Sequence, residues 1–490
     1  MGASAMIFAS FEFLALFLPL FFACYFLMPF RHRNWVILLF SWGFYAWWRV
    51  DFLALLIAVT GFTYTVARLM DRAGPKSDRA KLLMIFGLVG NLGVLAYFKY
   101  ANFGVATVNQ LRGAMGLSLM SWTEVLLPIG LSFYVLQSVS YLVDIRRGTV
   151  PVSRSLLDYA AYKAIFSQLI AGPIVRYAEI ANELKLREHS LRQFGIGGRT
   201  FAIGFAMKVA VADTLSPLVD AAFSLTQPTL ADSWIAALSY TLQLYFDFAG
   251  YSLMAIGLAR MIGFYFPQNF DNPYLSGSIQ EFWQRWHMTL SRFLRDYLYI
   301  PLGGNRSGPV RTYVNLMLVM AIGGLWHGSS WNFILWGVWQ GALLGTHRWW
   351  SRRRPPGAPT LAYPLANALT MLAVMIGWVI FRAKDLESAG HVYAGMLGLN
   401  GIGLSDDFLW QITPDRLWFI PVALAIVYVP LLRDRLSRPR LAHPHPGAPA
   451  VPGMSGLRLA AWTVSPFAAF TLAIVMLYSR DAVPFLYFQF

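Results

Sequence analysis

Two histidines of this chain stand out, one in a polar break of an apolar stretch and one in a basic amphipathic stretch. His327 lies in "GGLWHGSSWNFILWG" (Gly323 to Gly337), inside an apolar run from Tyr313 to Thr346. His287 lies in "EFWQRWHMTLSRFLRDYLYIPLGGNR", Glu281 to Arg306. An imidazole of ordinary pKa, about 6.5, exchanges a proton at neutral pH, so either ring suits general acid or base work on a hydroxyl group. Beside His327, Trp326, Ser329, Ser330 and Asn332 supply the groups that would shape a pocket. An ionisable group at membrane depth costs several kcal/mol and marks a functional position by default. The plainer reading is a neutral histidine that bonds a neighbouring helix.

Two further patterns carry polar chemistry. In "SYTLQLYFDFAGYS", Tyr240, Gln243, Asp247 and Tyr251 fall within about 80° of one another on a helical wheel. Asp247 is placed to orient a histidine or bind a polar substrate group, with an interhelical hydrogen bond as the alternative. Around His287, steps of about 100° per residue put Trp286, Leu290, Phe293, Leu294 and Tyr297 on one side and Arg285, Arg292 and Arg295 on the other. This spacing predicts an amphipathic basic helix along the cytoplasmic interface. His287 and Ser291, one turn apart, would lie between its two faces.

The elements that position these residues follow from composition. The chain has 490 residues, 57% hydrophobic and 13% charged, against about 45–50% and about 25% in a soluble domain; a soluble enzyme is excluded. One cysteine, Cys24, allows no intrachain disulfide and no cysteine metal cluster. The net charge of +15 is spread over short loops, which reads as membrane topology and contact with anionic lipid rather than nucleic-acid binding. The first apolar segment, Phe11 to Phe30, reads as a retained span. Others are predicted near residues 34–48, 51–68, 82–101, 125–143, 201–222, 233–262, 361–381, 417–432 and 459–479.

Basic residues orient the spans. Arg31 and Arg33 follow the first, Arg68 to Lys81 the third, and Arg146 to Arg154 the fifth, while the intervening loops are poor in them. The alternation puts the N-terminus outside the cytoplasm, Arg348 to Arg354 and Arg433 to Arg440 inside it, and the closing "PFLYFQF" outside. By parity the stretch around His327 crosses twice or dips and returns, turning at "GGLWHGSSW", so His327 sits deep. Tyr162 to Ile180, broken by Gly172 and Pro173, reads as re-entrant or interfacial, lining a tunnel mouth. His443 and His445, in the Pro-rich "RPRLAHPHPGAPAVPG", lack further ligands, and no metal site is expected.

The expected architecture is an all-α polytopic integral membrane protein. About 10–12 transmembrane or re-entrant helices surround a central tunnel, with interfacial amphipathic helices. Residues 1–490 form one domain, with a cytoplasmic or re-entrant segment at 145–200, a core segment at 281–346 and a cytoplasmic loop at 433–458.

The motifs "FWQRWHMTLSRFLRDYLYIPLGGNR" and "GGLWHGSSWNFILWG", with "YFKYANF", "QLIAGPIVRY" and "PFLYFQF", span nearly the whole chain. Together they resemble the alginate O-acetylase branch of the membrane-bound O-acyltransferases. The resemblance implies a bacterial inner-membrane enzyme that moves an acetyl group from cytoplasmic acetyl-CoA toward an extracytoplasmic polysaccharide such as alginate. It also implies an extracytoplasmic acetyltransferase partner, and no bound cofactor. It makes His327 the catalytic residue and His287 the second polar position.

In that setting His327 is the general base and His287 assists, while Trp326, Ser329, Ser330, Asn332, Asp247, Gln243 and Ser291 line the substrate path. An acyl-enzyme on Ser329 or Ser330 is a variant, and Arg285, Arg292 and Arg295 would meet the donor phosphates. Deep histidines, an intramembrane aspartate and a broken helix also suit a transporter, and a noncatalytic scaffold of a polysaccharide complex would account for the aromatic helices alone.

Overall fold

A computed structural model describes residues 6–170, 172–355, 361–436 and 456–479, and among these every regular element is helical. A π-turn at Glu12–Phe17 leads into α1 (Leu18–Leu27), followed by α2 (Arg33–Ala46), α3 (Val50–Arg72) and the long α4 (Asp78–Ala114). Next come α5 (Leu131–Arg147) and three short helices, α6 (Leu156–Ala164), α7 (Phe166–Leu169) and α8 (Tyr177–Ile180). α9 (Leu191–Ala206) passes through a π-turn at Met207–Ala212 into α10 (Asp213–Ser224), and α11 (Leu230–Met261) runs back beside it. Then come α12 (Ile279–Arg285), α13 (Met288–Leu294), α14 (Pro309–His327), α15 (Trp331–Arg353), α16 (Tyr363–Arg382), α17 (Leu386–Met396), α18 (Asp406–Leu409), α19 (Pro414–Leu436) and α20 (Gly456–Tyr478).

Among the described residues, four stretches are long and apolar enough to cross a membrane unaided: α3, α4, the Leu191–Ser224 run and α16. Shorter apolar helices occur at Glu12–Leu27, Arg416–Leu431 and Val464–Tyr478. α11 is different, being buried along nearly its whole length between α9, α10, α16 and α17. Glycines let its backbone meet that of α9. A Cβ at Gly204 would lie 2.4 Å from the Gly250 carbonyl oxygen, and one at Gly257 would lie 2.6 Å from that of Gly197. Such small-residue seams substitute for hydrophobic drive where lipid is the solvent.

The expected spans fall on helices. The segment 162–180 is broken into α7, α8 and the end of α6, with Tyr162, Lys163, Phe166, Ser167 and Gln168 buried within the protein. One reading needs correction: 281–306 is not one amphipathic helix. At His287 the backbone is left-handed, φ 42° and ψ 52°, and a neighbouring loop takes over the backbone pairing: Met288 N–H donates to the Asn269 carbonyl at 2.9 Å, and Asp271 N–H to that of Arg285 at 2.9 Å. Trp286 therefore packs with Phe282, Tyr274 and Trp378, whereas Leu290 and Phe293 join Phe133, Ile174 and Trp326. A helical wheel assumes continuity, and this long-range pairing breaks it. α19 extends to Leu436 and α20 begins at Gly456; the rest of the expected 433–458 loop, with His443 and His445, and the tail "PFLYFQF" lie outside the described residues.

Candidate active site

The C-terminal turn of α14 carries Trp326 and His327. The helix stops because Gly328 is extended, with φ −159° and ψ 159°, and a Cβ there would lie 2.0 Å from the Phe333 ring. The chain reverses through Ser329 and Ser330 into α15. The two helices then pack backbone to backbone: a Cβ at Gly324 would lie 2.1 Å from the Phe333 carbonyl oxygen, and one at Gly337 would lie 2.3 Å from that of Met320.

A helix end leaves carbonyls without partners, and here α4 supplies donors. Tyr100 Oη donates to the Leu325 carbonyl at 2.9 Å. Lys99 Nζ donates to the Trp326 carbonyl and, at 3.2 Å, to that of His327. Lys99 is 6% exposed, and an ammonium group at a helix C-terminus is also favoured by the helix dipole.

His327 is enclosed by aromatic rings, with centroids 5.0 Å from Trp326, 5.2 Å from Trp336 and 5.4 Å from Phe381. The His287 ring lies 6.3 Å away, fully buried and edge-on to Phe248 at 4.7 Å. Its Nδ1 is 3.1 Å from Asn269 Oδ1. The same oxygen accepts from Thr289 N–H at 3.3 Å and from Thr289 Oγ1 at 2.8 Å, while Asn269 Nδ2 donates to Ser252 Oγ at 3.1 Å. Facing an acceptor, Nδ1 carries the proton and Nε2 keeps its lone pair. Nε2 is buried with no hydrogen-bond partner among the described residues, and so is the Nε1–H of Trp326 and of Trp336. One acceptor and two donors thus stand unpaired around the histidine pair. Buried polar groups are rarely left so, which marks a place for a polar ligand.

The remaining expected residues divide. Ser329 and Ser330 are half-buried in the turn, and Asn332 Nδ2 donates to the Ala383 carbonyl at 2.8 Å, tying α15 to the end of α16. Ser291 Oγ donates to the Trp286 carbonyl at 3.4 Å across the break. Asp247 pairs with Lys208 at 2.9 Å, and Lys208 with Asp213, a buried triad joining α11 to the π-turn. The side chain that orients His287 is Asn269. Gln243 is buried one turn before Asp247. Arg285, Arg292 and Arg295 pair with Glu281, Glu179 and Asp296 at 2.8, 3.5 and 2.7 Å.

Asn269 also borders a cavity of about 350 Å³ between α11, α19 and the 268–272 loop, with Tyr245, Ser252, Phe270, Asp271 and Ile426 among its walls. None of the residues expected to line a substrate path borders this cavity. Sequence reasoning missed Lys99, Asn269 and Lys208. A lysine within an apolar span was signal enough for two of them; Asn269 lies in the aperiodic "FPQNFDNP" and carried none.

Residues 117–385, which include both histidines, match the membrane-bound O-acyltransferase family. Over 99% of its length the chain is 44% identical to the whole of a protein of Azotobacter vinelandii named "Probable alginate O-acetylase AlgI". It is 37% identical, over 80% of each chain, to a peptidoglycan O-acetyltransferase of Helicobacter pylori. It is 27% identical, over 46% of this chain and 58% of the other, to a teichoic acid D-alanyltransferase of Streptococcus thermophilus.

Proposed function

This chain belongs to the membrane-bound O-acyltransferase family, and from that premise we propose that it moves an acetyl group from cytoplasmic acetyl-CoA to a hydroxyl acceptor for O-acetylation of an extracytoplasmic polysaccharide, alginate being the leading candidate. The chain is a multi-pass membrane acyltransferase; donor, acceptor and side of the membrane are the proposed part. The acceptors in the relatives' names, alginate, peptidoglycan and teichoic acid, favour a polymer outside the inner membrane. A separate extracytoplasmic transferase would then hand the acetyl group to the polymer, and the N-terminus would face the same side.

One observation carries the reading: two buried histidines, from separate breaks in the sequence, meet beside unpaired indole donors. In the proposed step His327 accepts the proton of the incoming hydroxyl as its oxygen bonds to the thioester carbonyl carbon. Nε2 of His287 accepts from a neighbouring hydroxyl of the acceptor and so positions the reacting one on His327. The Nε1–H groups of Trp326 and Trp336 donate to the oxyanion that forms. The carbonyl re-forms, the C–S bond breaks and the proton on His327 passes to the departing thiolate. Direct transfer needs no serine ester, and the half-buried Ser329 and Ser330 shape the turn.

The reading is tested with protein purified in lipid and radiolabelled acetyl-CoA, following free coenzyme A and label on candidate glycans or partner. Protein-dependent thiol release with label on a hydroxyl acceptor supports it. Label transferred from another activated acetyl donor, with acetyl-CoA inert, would remove the proposed donor.

A further inference from the structure

A second cluster lies away from the histidine pair, where α1, the start of α2 and the 183–190 loop converge. Tyr25 is its hub. Its hydroxyl donates to the Ile262 carbonyl at 2.9 Å, accepts from Arg187 Nε at 3.1 Å and lies 3.0 Å from His189 Nε2. With the tyrosine proton committed to Ile262, His189 Nε2 is the donor, leaving Nδ1 to accept from Arg33 Nη1 at 3.2 Å.

Both guanidinium groups stack on the same two rings. Arg33 lies 5.1 Å from the Tyr25 centroid and 5.8 Å from that of Phe30; Arg187 lies 5.9 and 5.4 Å from them. Arg187 is only 5% exposed, yet neither arginine forms an ion pair with a carboxylate among the described residues. Asp158 is held by Asn34 at 2.7 Å, and Glu183 offers Arg187 its carbonyl.

Of the loop groups, His189 registers the positive charge and Glu183 does not offset it. Burial, then Arg33 and Arg187, push the His189 pKa down, and burial raises that of Glu183 to about 7 despite Arg187. A buried arginine usually has an anion, and Arg187 has no carboxylate within ion-pair distance among the described residues. The surroundings say where the anion comes from. In "LKLREHSL" Lys185 and Arg187 flank Leu186, and Leu186, Leu191 and, at the end of α1, Leu27 are 75%, 92% and 85% exposed. A loop of this pattern lies against a bilayer surface, with its leucines among acyl chains.

We infer that Arg33 and Arg187, the former braced by His189, form a headgroup site for the phosphodiester of an anionic phospholipid. Paired guanidinium donors match phosphate oxygens bidentately, and the leucines meet the lipid tails. The site is independent of the acyltransfer reading, since neither its residues nor its chemistry enters that step.

The test is lipid binding by native mass spectrometry on the full chain in neutral detergent, with phosphatidylglycerol against phosphatidylcholine as probes. Preferential retention of phosphatidylglycerol is expected, weakened about fivefold by Arg33→Gln and further in the Arg33→Gln, Arg187→Gln double variant. Arg72→Gln, an exposed arginine at the end of α3, should retain wild-type binding. Arg33 is half-exposed, so its single variant carries the test if the double variant fails to fold. Equal retention of the two lipids, or wild-type binding by Arg33→Gln, would overturn the site. Displacement of phosphatidylglycerol by inorganic phosphate or coenzyme A would overturn the lipid assignment and make the site one for a soluble phosphate.

Discussion

At His287 a single hydrogen bond decides which nitrogen can work. Asn269 Oδ1 fixes the proton on Nδ1, so Nε2 is the acceptor, and loss of that oxygen should release the tautomer without emptying the pocket. Asn269→Leu is therefore expected to lower kcat by about ten- to a hundredfold with little change in KM for the donor, measured by steady-state release of coenzyme A. Lys99 acts through the backbone, holding the last carbonyls of α14. Lys99→Met should lower kcat through misplacement of His327, and Lys99→Arg should restore part of it, whereas a purely steric role would be filled by methionine. His327 was legible in the sequence because an imidazole in an apolar run has few structural reasons to be there, and His287 because it fell on the boundary between an apolar and a basic face. Asn269 was not, because its role depends on a loop that meets the His287 break only in the folded chain.

Among the elements, the α14–α15 hairpin and the α9–α11 seam depend on glycines whose neighbours leave no room for a side chain. Gly337→Leu would push into the Met320 carbonyl and is expected to destabilise the fold by about 1–3 kcal/mol, read as a fall in thermal midpoint. The buried Asp213–Lys208–Asp247 triad is more costly to break. Lys208→Met leaves two carboxylates facing each other in the interior, with an expected loss of about 3–5 kcal/mol, read by thermal unfolding of the purified protein. Hydrophobic runs located most helices. Where an element bends, the sequence pattern misled: Lys208 and Asp213, five residues apart, face one another across a π-turn, and the 281–306 wheel failed at a left-handed histidine.

Over the whole molecule, charge asymmetry sets a testable orientation. Cys24 is the one native cysteine, so a Cys24→Ala background lets single cysteines report sidedness. A membrane-impermeant maleimide should label Ser118→Cys from outside intact spheroplasts and should spare Lys76→Cys until the membrane is opened; the reverse pattern would invert the topology. The central claim concerns His327, and it is tested most directly by comparing labelled acetyl transfer by wild type and His327→Ala in lipid, with donor binding and thermal midpoint measured on the same samples. The expected result is a fall of about 10²–10⁴ in turnover with binding and folding retained. Turnover equal to wild type would contradict the account and leave His327 as a packing residue.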